Sequence, residues 1–209
     1  MSEPVISRRA LLRGGTLVGG GLWLAGGLSF PRAARAAAAS SKPEVLTRAQ
    51  WTTLEAVTAR LIPTDHEPGA REAGCVNFID KALANEEAAA QPRYEAGIAA
   101  LETAARGLHG QSFAELTDAA QDALLTRVEE GTARRWPDTA GSSSEFFEMV
   151  RVHTLMGFLA DPRYGGNRGY AGWRVAGYPG PRHVRGGYTP EQVTGEAPIR
   201  PIWEHESKG

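Results

Sequence analysis

An all-α fold is what this sequence predicts, and three observations predict it. Apolar residues recur at helical spacing in several segments whose ends carry capping residues. No alternating run of any length reads as a strand, and no internal repeat is present. The stretch from Glu145 to Ala160 is apolar on nearly every face, as expected of a buried C-terminal helix at the centre of a small bundle. A long irregular segment rich in glycine and aromatic residues follows it.

The elements come in order behind an N-terminal leader. Residues 1–36 read as an export signal: Ser7-Arg8-Arg9-Ala10-Leu11-Leu12-Arg13, an apolar run from Gly14 to Phe30, then the small-residue site Ala34-Arg35-Ala36. The adjacent Arg8 and Arg9 match the twin-arginine (Tat) signal, so Arg8 and Arg9 are expected to engage the Tat translocon, and the periplasm is the expected destination. Seven glycines make the apolar run weakly hydrophobic, which suits Tat better than a spanning helix of about 20 strongly apolar residues. An uncleaved anchor is the alternative. The Tat route carries folded proteins, so either this body binds a cofactor or it travels with a partner that does.

Residues 37–45 form a small-residue linker. The body is expected over 46–188, with an irregular tail over 189–209. Thr47 and Gln50 make a capping box before a helix carrying Trp51, Leu54, Val57, Leu61 and Ile62, which Pro63 stops. Thr64 to Gly74 reads as a polar loop, and Val76, Ile79 and Leu83 mark a second helix. Tyr94, Ile98, Leu101, Ala105 and Leu108 give an amphipathic helix ending at Gly110. Ser112 to Glu115 reads as a short capped turn. Thr117 caps a helix with Leu124, Leu125 and Val128, and a loop over Thr132 to Ser143 leads into the central helix, which Asp161-Pro162 ends.

Composition narrows the function. Of 209 residues, the first 36 hold five arginines and one acid; the remainder has eighteen basic and twenty-three acidic residues, a formal −5. Such a body gives no electrostatic reason to expect nucleic acid. Cys75 is the single cysteine, which excludes an intrachain disulfide and C-x-x-C-H haem attachment. His153 has no His, Asp or Glu at i+3 or i+4 and reads as a core histidine. Asp65-His66-Glu67 reads as a solvated loop, and no G-x-S-x-G surrounds Ser142-Ser143-Ser144.

The segment DPRYGGNRGYAGWRVAGYPG, Asp161 to Gly180, lacks both the G-x-G-x-x-G and the G-x-x-x-x-G-K-[ST] spacing. Three readings stay open for it: a loop folded over its own bundle, a partner-docking surface, or a small-ligand pocket of an autonomous periplasmic enzyme or binding protein. For the docking surface, the contact residues are Tyr164, Gly165, Gly166, Asn167, Trp173 and Tyr178, where aromatic rings offer large contact area at small entropic cost.

Several strings resemble a known family. They are Phe146-Phe147 through His153-Thr154, Gly157-Phe158, Asp161-Pro162-x-Tyr164-Gly165-Gly166-Asn167, Gly172-Trp173 and Gly177-Tyr178-Pro179-Gly180. Leu46-Thr47, Leu61-Ile62-Pro63-x-Asp65 and Pro68-Gly69-Ala70 join them. Over Leu46 to Tyr188 the chain resembles the gluconate 2-dehydrogenase subunit 3 family. The resemblance implies a non-catalytic accessory subunit of a periplasmic, membrane-associated sugar or sugar-acid dehydrogenase. It implies a large flavoprotein subunit holding FAD as one partner, and a multihaem cytochrome c subunit as a possible third. It transfers no catalytic, cofactor or metal residue to this chain, and implies that the small subunit carries the Tat signal for the flavoprotein.

Overall fold

The computed structural model describes residues 42–181 and 187–201; the leader, with Arg8 and Arg9, lies outside the described residues. Among the described residues there are eight α-helices and no strand. They are α1 (Arg48–Leu61), α2 (Ala70–Ala73), α3 (Cys75–Ala84), α4 (Gln91–His109), α5 (Asp118–Glu129), α6 (Ser143–Leu159), α7 (Ala171–Val175) and α8 (Pro190–Thr194).

Local chemistry sets the boundaries. Thr47 Oγ1 accepts the Gln50 amide at 3.2 Å while Gln50 Oε1 accepts the Thr47 amide at 2.8 Å, the reciprocal capping box that starts α1. The polar loop expected over 64–74 contains a helical turn, α2. Its first amide belongs to Gly69, which has no side chain to cap it; Glu72 Oε2 accepts that amide at 3.0 Å and also bonds Thr64. The loop reading overlooked this carboxylate acting from inside the turn. The tail likewise contains α8, opened by a second Thr-to-Gln capping box at Thr189 and Gln192. The α4 helix begins at Gln91, ahead of the first apolar position, because Pro92 in its first turn is set for helix entry.

The α6 helix sits at the centre, packed mainly on α3 and α5, with α1, α2, α4 and α7 around it. Phe146, Phe147, Val150, Thr154, Gly157 and Phe158 face inward. The α6 helix, apolar on nearly every face, is central as expected and is exposed along one edge, where Val152, Met156 and Leu159 meet solvent. Six neighbours cover one arc of the helix; among the described residues none covers the opposite one. The Arg60 guanidinium joins α1 to α5, with Nε and Nη2 donating to Asp122 at 2.7 and 2.6 Å and Nη1 lying 2.6 Å from Asp118.

Candidate functional site

The glycine–aromatic segment folds back over the end of α6. Its pivot is Asn167, fully buried and in the left-handed region at φ 43°, a conformation that asparagine tolerates better than most residues. Each of its hydrogen-bonding groups is engaged within the chain. The backbone amide donates to Gly157 O at 2.7 Å, and Nδ2 donates to Ala160 O at 3.0 Å. Oδ1 accepts the amides of Gly172 at 2.9 Å and Trp173 at 3.4 Å. One side chain thus satisfies a carbonyl at the end of α6 and two amides at the start of α7, groups that helix termini otherwise leave unpaired.

Glycine permits the approach. A Cβ on Gly166 would stand 2.1 Å from Gly157 O, and one on Gly172 would stand 1.7 Å from Phe158 O. Both contacts are with main-chain oxygen and cannot be relieved by turning a side chain. Trp173 then lies buried, its Nε1 donating to Leu159 O at 2.6 Å. Tyr170 stacks on it at 5.5 Å and Tyr178 meets it edge-on at 5.1 Å. On the other side, Asn77 Nδ2 of α3 donates to Gly165 O at 2.7 Å.

A second internal anchor lies on α3. Asp80 is buried, and its carboxylate accepts the amides of Glu44 at 2.6 Å, Val45 at 3.2 Å and Leu46 at 2.8 Å. Three main-chain donors converging on one carboxylate are strong, charge-assisted bonds. They fix the place where the chain enters the body.

His153 is buried in α6, and its Nδ1 shares a 2.9 Å hydrogen bond with the Tyr94 hydroxyl, the rings stacked at 5.8 Å. Burial holds the imidazole below the usual histidine range and pushes the Tyr94 phenol up. Cys75 is buried and its thiol is likewise pushed up, the reverse of what a nucleophilic cysteine needs. Arg168, Trp51, Glu55 and Gly74 help to line a cavity of about 10 Å³ beside it, room for one water molecule. Among the described residues no three His, Cys, Asp or Glu side chains converge as metal ligands do.

The remaining distinct surface is the outer edge of α6. Val152, Met156 and Leu159 are spaced i, i+4, i+7 and are 38, 47 and 36% exposed. A row of large apolar side chains in water is the kind of feature that marks an interaction surface. Met and Leu fit such a role, being adaptable in shape.

A profile of the family described as Gluconate 2-dehydrogenase subunit 3 matches residues 48–180, well over half of the chain. The chain belongs to that family. No curated protein and no solved structure matches. The family region runs from the start of α1 to the end of the glycine–aromatic segment, and so contains the Asn167 anchor, the Trp173 stack and the exposed edge of α6.

Within this family member, the six residues predicted to contact a partner divide. Gly166, Asn167 and Trp173 are buried, and the side chains of Asn167 and Trp173 bond to main chain of the same chain, so these residues shape the segment. Tyr164 and Tyr178 are exposed at 50 and 36%, and Gly165 is half-buried against Asn77 and Lys81. Sequence reasoning missed Asp80 and the α6 edge. For Asp80 the signal was an acid between Ile79 and Leu83 on an otherwise apolar helix face. For α6 it was a surplus of apolar residues beyond the arc that one core can cover.

Proposed function

We propose that this chain is the non-catalytic accessory subunit of a membrane-associated periplasmic dehydrogenase acting on a sugar or sugar acid. In this reading a large flavoprotein subunit binds FAD and oxidises the substrate, and a multihaem cytochrome c subunit accepts the electrons. The small subunit carries the Tat signal and escorts the folded, flavin-loaded partner across the membrane. One pairing carries the reading: a family match over 48–180 and a twin-arginine leader on the same chain. The internal use of Asn167 and of the Trp173 indole supports a structural rather than catalytic role for the glycine–aromatic segment.

The test is export. Replacing Arg8 and Arg9 by lysine should leave both this chain and the flavoprotein in the cytoplasm, as read by fractionation and by bound flavin in the periplasm. A flavoprotein that reaches the periplasm in cells lacking this chain would end the escort reading.

A further inference from the structure

We propose that the exposed edge of α6, extended by Tyr178 and Tyr188, is the surface on which the dehydrogenase subunit docks, through apolar contact rather than charge. The proposal rests on the accessory-subunit reading and names the surface that would serve it. Five large apolar side chains form the band. Val152, Met156 and Leu159 lie along α6, and the Leu159 carbonyl receives the Trp173 indole. Trp173 packs against Tyr178, and the Tyr188 side chain lies close enough to Tyr178 to help burial push its phenol up. Tyr178 and Tyr188 are themselves 36 and 39% exposed. Buried Trp173 thus acts as the bracket that holds the α6 row and the tyrosines together as one surface.

The charges around the band decide which occupant it suits. Arg151 forks onto Glu148 at 2.6 and 2.7 Å, Arg163 lies 3.6 Å from Asp161, and Arg93 lies 4.0 Å from Glu145. Along α6 these three cations stand against three anions, and exposed Arg174 of α7 lies beyond them, next to Trp173. Helices that lie on anionic lipid carry a Lys- and Arg-rich polar face, whereas each of the three cations named along α6 is matched by an acid. A dehydrogenase subunit is the partner that membership of a family of dehydrogenase subunits supplies. Five side chains are a minority of the roughly 20–30 residues that one partner commonly contributes. The band therefore forms the apolar centre of an interface whose paired charges make the polar rim, an arrangement common to protein–protein contacts.

The test uses the tagged full-length chain in its native host. The captured partner is identified by its bound flavin and by dye-linked oxidation of sugars and sugar acids. Met156→Glu and Val152→Glu should each lower recovered flavin per tag at least tenfold while the far-UV helix signal stays unchanged. Leu159→Ser serves as a milder variant should either glutamate disturb folding. Glu95→Gln, on the exposed face of α4 and outside the band and its rim, should leave recovery within twofold of wild type. Full recovery by all three band variants overturns the docking surface and leaves the escort reading standing. A wild-type chain that captures no flavoprotein overturns both. A Met156→Glu chain that keeps its flavoprotein but no longer self-associates in gel filtration, or no longer sediments with phosphatidylglycerol vesicles, assigns the band to a second copy or to lipid and also overturns the proposal.

Discussion

Asn167 and Met156 have exchanged the environments their chemistry prefers. The amide is fully buried at the end of α6, and the thioether is about half in water on the same helix. The difference lies in what each has been given. Asn167 enters the interior with every polar group matched by main chain, so its burial carries no unpaired donor or acceptor. Among the described residues no apolar neighbour covers the outer side of Met156, so its exposure is a standing cost that a partner could remove. The first region is complete within the chain; the second is open among the described residues.

Substitutions can break this contrast. The largest effect should come from Gly172→Val, because its Cβ would strike Phe158 O and the segment could not seat. A loss of about 4 kcal/mol is expected, with exposure of Trp173 read by fluorescence in a urea titration. Asn167→Ala should follow at about 3 kcal/mol, since it leaves a carbonyl and two amides unpaired in the interior. Asp80→Asn should cost about 2 kcal/mol by weakening the bonds to Glu44, Val45 and Leu46, and limited proteolysis should then cut ahead of Trp51.

A smaller effect depends on pH. Burial lowers the His153 pKa, so the unfolded chain, with a histidine value of about 6.5, binds that proton more readily than the folded one. Stability should therefore fall as pH drops below about 6.5, down to the depressed folded value. His153→Gln should flatten that part of a melting-temperature profile. The least effect on the isolated chain belongs to Met156→Ser, expected within about 0.5 kcal/mol of wild type. A large loss there would mean that Met156 serves the core, and would collapse the contrast with Asn167.

Most of the bundle was legible because its signals are local. Thr47 with Gln50, Thr117, and Gly110 at φ 74° each announce a helix end through bonds within a few residues. The family strings were also local, and they named the region that holds the anchors. What could not be read is non-local. That Asn167 turns inward depends on Gly157 and Gly172 meeting it in space, and the spacing of G-G-N-R-G-Y alone does not tell inward from outward. The short helix α2 was hidden because its cap comes from Glu72 within the turn rather than from a residue before it. The α6 edge was hidden because an all-apolar sequence cannot say which of its faces lacks a neighbour.

Asp80 has a mechanical consequence. The chain ahead of residue 42 joins the body through three amides held by one carboxylate on α3, the helix packed most extensively on α6. A pull on the chain ahead of residue 42 is therefore not absorbed by a fraying end. It loads the Asp80 bonds together and passes into the bundle's main helix pair. A traction engine gripping the N-terminus would tow the body by its keel.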